Sequence, residues 1–372
     1  MKPPRIPPSA ARLLKPLAEA AGELKLYAVG GPVRDWILGR AVFDFDLCCE
    51  GDPEPLARFC AEKIHGTAEA FGQFNTWRVI SKSLRFDLAM CRRETYSEPA
   101  ALPEVAPASV EEDLYRRDFS INAMAMRLSP DVTGELIDPH GGLKDLRAKV
   151  LRTLHERSFQ DDPTRVFRAA RYLCRFGLKA APGLVESARR ALDEGHAGKL
   201  SRHRLSQELM RILHEKDCAA PLEKLRQWGY LALLHPGLKP PPPALTGASE
   251  RLAAMLLALG KPEALKVLAA LPIEHALATL IRETLEVAAA QASPRNPLAP
   301  LSRRVLTTVL PDLPPAALRP VLINGRDIQA RGLAPGKDFR DILDAAALLQ
   351  WKGRLKSRAQ ALNWLDATLR RR

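Results

Sequence analysis

The sequence predicts an α+β protein of several domains, with a mixed α/β unit first and helices after it. Three observations predict this. Residues 24–90 alternate short apolar runs with helical patterns, so strands and helices share one compact unit. From Phe159 onward the pattern is helical almost throughout, interrupted by proline-rich stretches at Pro240–Pro243 and Pro311–Pro320. The chain has 372 residues, enough for two or three domains with ample core.

Taken in order, residues 9–22 read as an opening helix ending near Gly22, and Leu24–Val29 as a strand. Gly30-Gly31-Pro32-Val33-Arg34 is a glycine turn entering a short helix. The stretch Val42-Phe43-Asp44-Phe45-Asp46-Leu47 alternates apolar and acidic residues and reads as a strand. Residues 55–65 are helical in composition, and 76–80 with 84–90 form a strand pair. Between Glu94 and Val110, Pro99, Pro103 and Pro107 predict an irregular loop across the site. An apolar strand at 121–126 and a turn-rich segment at 136–146 close the unit. Asp161-Asp162-Pro163 marks a helix start, with Asp as cap and Pro in the first turn. Helices are expected over 201–214, 218–234, 249–292 and from Asp327 to the basic C-terminus.

The net charge of +13 points to a polyanionic partner, nucleic acid or an anionic membrane surface. No apolar run reaches about 18 residues, so no membrane-spanning helix is predicted. Residues 1–8 lack the apolar core of a secretory signal. The six cysteines, at 48, 49, 60, 91, 174 and 218, form no C-x-x-C pair. Reduced thiols in the cytoplasm are the plain expectation.

Side chains two apart on a strand share a face, so Asp44 and Asp46 project together. Two acids on a half-buried face repel and lose solvation, and a divalent cation is the simplest compensation. Asp87, within Leu84-Arg85-Phe86-Asp87-Leu88, supplies a third acid if its strand lies beside theirs. Such a set suits two magnesium ions and in-line attack on a phosphoryl group. Gly30 and Gly31 let backbone N–H groups approach a phosphate, with Arg34 as a charged clamp. In Arg116-Arg117-Asp118, beside an apolar strand, at least one arginine must face inward and needs an anion. Asp162, Arg165, Arg168 and Arg171 recur every three residues. They form either a solvated basic face or a reader of bases. Aspartate only accepts hydrogen bonds and arginine only donates. Together they match the amine-plus-acceptor edge of cytosine and adenine, and mismatch uracil and guanine.

These motifs together resemble the class II tRNA nucleotidyltransferase (CCA-adding enzyme) and poly(A) polymerase family. The resemblance is carried by Gly30–Asp35, the Asp44/Asp46 pair, Glu112–Ala125 with its Arg-Arg-Asp-Phe core, and Asp161–Arg171. Ser201, Arg204, Glu208 and Leu209 resemble the next helical motif, and Asn324–Ile328 with Gly332–Gly336 resemble the tail signature.

The resemblance implies a DNA polymerase beta-like nucleotidyltransferase head with a mixed sheet over residues 1–150. Helical neck, body and tail would follow at 151–238, 239–320 and 321–372. It implies Mg2+, two ions, at Asp44 and Asp46, with Asp87 as the third catalytic acid. Gly30, Gly31, Arg34 and Arg116 would hold CTP or ATP. Asp162 and Arg165 would read the base, with Arg168 and Arg171 close by. The partner would be tRNA, extended at its 3′ end with C and A residues of CCA in the cytoplasm. No membrane and no obligate protein partner are expected. Asp161 stands where the family often has Glu, and Asp87 likewise. CC-only and A-only enzymes and poly(A) polymerases share the motifs. A different class, an RNA-binding protein with an inactive head, is separated by testing the acids.

Overall fold

The structure, a computed structural model, describes residues 6–42, 44–71, 74–82, 84–95, 104–131 and 134–371. The chain forms two compact units, residues 1–200 and 201–372.

The first unit opens with α1 (Pro8–Ala21), β1 (Leu26–Val29), α2 (Gly31–Ile37), β2 (Asp44–Cys49) and α3 (Glu54–Lys63). Strands β3 (Thr67–Phe71), β4 (Thr76–Ile80) and β5 (Arg85–Met90) precede a hairpin of β6 (Arg92–Thr95) and β7 (Glu104–Pro107). Then come α4 (Val110–Tyr115), a 3-10 turn over Ser120–Asn122, β8 (Ala125–Leu128), β9 (Leu136–Ile137), α5 (Gly142–Ala148) and β10 (Val150–Leu151). Helices α6 (Ser158–Asp161) and α7 (Thr164–Arg175), strand β11 (Lys179–Ala180) and α8 (Leu184–Asp193) complete it.

A seven-stranded sheet runs β3-β4-β5-β2-β1-β8-β9. Strands β2 and β5 pair in parallel, and the other neighbours in the sheet are antiparallel. The alternation in β2 dictates its two faces. Phe45 and Leu47 are buried, with Phe45 against Trp36 at 6.1 Å, while Asp44 and Asp46 reach solvent on the opposite face. Beyond the acids, Cys48 joins a small core with Tyr27, Val29, Cys91, Val110 and Leu114, which anchors α4 on the acidic face. Helix α4 begins at a capping box, Ser109 with Glu112, that satisfies its first N–H groups.

Three expectations change in this unit. The strand expected over 121–126 begins only at Ala125, because Ser120–Asn122 form a 3-10 turn. Strand β3 is unpredicted because Thr67-Ala68-Glu69-Ala70-Phe71 lies at the sheet edge and buries little. The expected loop after Glu94 is partly regular: Glu104–Pro107 pairs with Arg92–Thr95. A two-stranded ribbon leaves each strand a free edge, so Pro107 can lie at its end. Residues 96–103, with Pro99 and Pro103, lie outside the described residues, as does Phe43.

The second unit is helical: α9 (Arg202–Leu213), α10 (Ala219–Gln227), a 3-10 turn over Tyr230–Leu233, α11 (Ala248–Leu257), α12 (Lys261–Ala270), α13 (His275–Ala290), α14 (Pro300–Val309), α15 (Gly325–Gln329), α16 (Lys337–Trp351) and α17 (Arg358–Arg370). The helix expected over 218–234 breaks at Gly229, whose φ of 85° suits a residue without Cβ. Buried Arg251 donates to the carbonyls of Leu213, Leu245, Glu215 and Lys216, tying the end of α9 to α11. A separate small core of Ile323, Ile328, Ile342, Leu355 and Leu365 holds α15–α17 together.

Candidate active site

The acids of β2 meet a third on β5. Parallel register sets Asp46 opposite Asp87 and Asp44 opposite Arg85. Asp87 is held from the other side by Arg78 of β4, through bonds of 2.7 and 2.8 Å. Arg78 in turn lies 3.5 Å over the ring of Phe71. Asp46 is crowded by protein although it reaches solvent. Burial pushes its carboxyl above the usual range; nearby Arg117 opposes this, and Asp87 and Asp44 add to it. A cavity of about 290 Å³ lies over these groups, lined by Asp46, Asp87, Arg92, Arg116 and Arg117 among others.

The arginines of the Arg-Arg-Asp stretch are fixed by one fully buried carboxylate. Asp113 accepts from Arg116 at 2.7 and 3.0 Å and from Arg117 at 2.8 and 3.2 Å. It also accepts the Arg92 backbone N–H. Burial alone would raise this carboxyl, but Arg117 and Arg116 hold it below the usual range. Arg116 reaches on to Glu94 at 3.0 Å. Of the two arginines, Arg117 is the one that acts on Asp46, although the sequence singled out Arg116.

The glycine turn sits against the same arginine. Gly30 has φ of 70°, and a Cβ there would lie 2.7 Å from Nη1 of Arg117. Gly30→Ala is therefore expected to cost about 1–3 kcal/mol in backbone strain and to displace Arg117. Thermal unfolding checks this, and an unchanged Tm contradicts it. Arg34 is buried. It donates to Asn122 at 2.6 Å and to both oxygens of Asp35, and its guanidinium lies 4.4 Å over the Phe176 ring.

The basic triplet of α7 is not a solvated face. Arg165 is buried and donates to Ser158 Oγ at 2.8 Å and to the Arg116 carbonyl at 2.7 Å. Arg168 binds Asp118 at 2.7 Å, and Arg171 is buried beside the Tyr172 ring. Burial opposes ionisation of Asp118, but Arg168 and Asn122 hold its carboxyl low. Asp162 stands just before α7 and accepts from the Thr164 N–H and hydroxyl, so it serves as the start signal that the sequence expects. A second cavity, about 570 Å³, is lined by Tyr115, Arg116, His155, Asp161 and Arg165 among others.

The structure thus gathers Asp46, Asp87 and Arg116 around one cleft, with Asp44 exposed two residues away on the same strand face. Arg165 is joined to it through the Arg116 carbonyl. Arg78 and Asp113 belong to the same network and were missed, while Arg117 and Asp118 were named only as part of the Arg-Arg-Asp stretch. Arginines between apolar strand residues, such as Arg78 between Trp77 and Val79, were the available signal.

The carboxylates suit a hard divalent cation: they are oxygen donors, Asp46 is desolvated, and like charges crowd it. Among the described residues, no three His, Cys, Asp or Glu side chains form a ready metal cluster. Asp87, paired with Arg78, is the least available of the three acids. No helix among the described residues is long and apolar enough to cross a membrane.

A mixed sheet bearing paired acids, followed by helices, is the architecture of a polymerase beta-like nucleotidyltransferase head with an all-α extension. Residues 26–152 match the family model of the poly(A) polymerase head domain. A CC-adding tRNA nucleotidyltransferase of Deinococcus radiodurans is 32% identical over 96% of this chain and 93% of its own length. An A-adding tRNA nucleotidyltransferase of Geobacter sulfurreducens is 37% identical over 63% of this chain, which spans only 27% of that relative. The structure of a Thermotoga maritima CCA-adding enzyme complexed with tRNA matches 98% of this chain and 97% of its own, with TM-score 0.67 and 25% identity. The chain belongs to the tRNA nucleotidyltransferase and poly(A) polymerase family. Nucleotidyltransferases of this kind generally use divalent metals.

Proposed function

We propose that the protein is a tRNA nucleotidyltransferase that adds C and/or A residues of the 3′-terminal CCA, using CTP and ATP. The observation that carries the proposal is the placement of Asp44 and Asp46 on one open strand face, with Asp87 in register beside Asp46 and Arg117 close by. Family membership narrows this phosphoryl-transfer chemistry to RNA ends.

Asp44 and Asp46 would hold Mg2+, two ions in all, with Asp87 alongside. When bound, the metal supplies charge neutralisation at the triphosphate and a more acidic attacking hydroxyl. The tRNA 3′-hydroxyl oxygen would bond to the α-phosphorus as its proton passes to solvent, the bond from the α-phosphorus to the α,β-bridging oxygen would break, and pyrophosphate would leave. The glycine turn at Gly30 and Gly31, with Arg34 and Arg116, would position the triphosphate. Arg116 would exchange part of its grip on Asp113 and Glu94 for phosphate oxygens. Asp162 would accept from the exocyclic amine of C or A while Arg165 donates to the ring acceptor. Arg168 and Arg171 would brace that helix.

Residues 1–150, 151–238, 239–320 and 321–372 would serve as head, neck, body and tail, the last parts gripping tRNA through phosphates and A-form shape. Six free cysteines agree with a cytoplasmic setting.

The test is an extension assay on tRNA transcripts ending before CCA, after C and after CC, with each nucleotide singly and in pairs. Incorporation of C, A or both is expected, and the pattern separates CCA, CC-only and A-only repertoires. Addition of U or G at comparable rates would contradict the roles of Asp162 and Arg165. Unlimited A addition would indicate a poly(A) polymerase.

A further inference from the structure

The cavity on the far side of Arg116 has a lining that phosphate binding does not explain. Four arginines, Arg116 and Arg165 among them, face four carboxylates, so the formal charge cancels. A phosphate seat would carry excess positive charge; a balanced set of donors and acceptors suits a neutral heteroaromatic ring. Two of its walls are aromatic. Tyr115 is 55% exposed, and its ring stacks on His155 with centroids 5.9 Å apart and planes 18° apart. Burial and the nearby Arg165 lower the His155 pKa, so the imidazole stays neutral and adds no charge to the stack. An exposed tyrosine stacked on a neutral ring is a platform for a base. Arg116 lines both this cavity and the acidic one, so a nucleotide with its phosphates near Asp46 has this platform as its neighbour.

We infer that Tyr115, stacked on His155, binds the base of the incoming nucleotide and is a binding residue for CTP and ATP alike. Stacking is blind to base identity, so Tyr115 holds the ring while hydrogen-bonding groups choose it. The inference rests on the nucleotidyl-transfer reading.

Titration calorimetry of the full chain with ATP, CTP and inorganic tripolyphosphate tests it. Tyr115→Ala is expected to weaken ATP and CTP binding about tenfold, and Tyr115→Phe to restore it to within about twofold. Tripolyphosphate, which has no base, should bind both variants as it binds the unaltered protein. Equal loss of all three ligands, or no loss of any, overturns the inference. So does a Tyr115→Ala rise confined to the KM for RNA in the tRNA extension assay, which would place the primer's base on Tyr115 instead. If the unaltered protein binds neither nucleotide, both this and the functional proposal fall. Normal binding by the Tyr115→Ala variant overturns the platform alone.

Discussion

Asp46→Asn is expected to lower nucleotide addition by about a thousandfold, the equivalent of several kcal/mol of lost charge stabilisation. The same change should leave the fold intact or raise its Tm. Asp46 is a strained position for a charge: burial, Asp87 and Asp44 all push its pKa up. The sign follows from linkage. A carboxyl whose folded pKa lies above its unfolded value costs stability once pH rises through the unfolded value of about 3.9, and most at neutral pH. Asparagine removes that cost together with the function. A variant that lost stability while keeping its activity would show that Asp46 is a structural residue.

Asp113→Ala is expected to destabilise the protein by about 3–5 kcal/mol, the cost of removing one partner from a buried ion pair. It would leave the Arg116 and Arg117 guanidiniums without their shared carboxylate and the Arg92 N–H without its acceptor. Denaturant titration reads the loss. Because Arg117 and Arg116 hold Asp113 below the usual carboxylate range, its contribution is present above the unfolded pKa and fades as pH falls through the lower folded value. The stability gap between Asp113→Ala and the unaltered protein should therefore narrow in acid. A constant gap down to the lowest pH at which the protein stays folded would contradict the ion-pair account.

What the sequence revealed and what it hid have separate physical causes. The Asp44/Asp46 face was legible because strand periodicity is local and Phe45 and Leu47 declare the buried side. The start of α7 was legible because Asp162 and Pro163 act within one turn. The partnership of Asp46 with Asp87 was only a conditional expectation. It depends on the parallel register of β2 and β5, which intervening elements impose. That Arg117 acts on Asp46 was not legible for a similar reason. Both follow α4 directly, and both line the cavity with Asp46 and Asp87, so local sequence does not tell them apart. The pairing of Arg168 with Asp118 was not legible, since nothing local marks a partner 50 residues earlier. Strand β3 was hidden because an exposed edge needs no apolar alternation.

Polar groups far apart in sequence thus converge in the first unit on one carboxylate-lined cleft. Asp113 and Asp118 order the arginines, Arg78 steadies Asp87, and Asp44 and Asp46 stay exposed on the open strand face.

The most direct test of that claim uses a tRNA transcript lacking its CCA end, Mg2+, CTP and ATP. The unaltered protein and an Asp44→Ala/Asp46→Ala double variant, matched for folding by circular dichroism, are compared. Extension by the unaltered protein and none by the double variant is the predicted result. Extension of the transcript by the double variant would contradict the role given to the two acids.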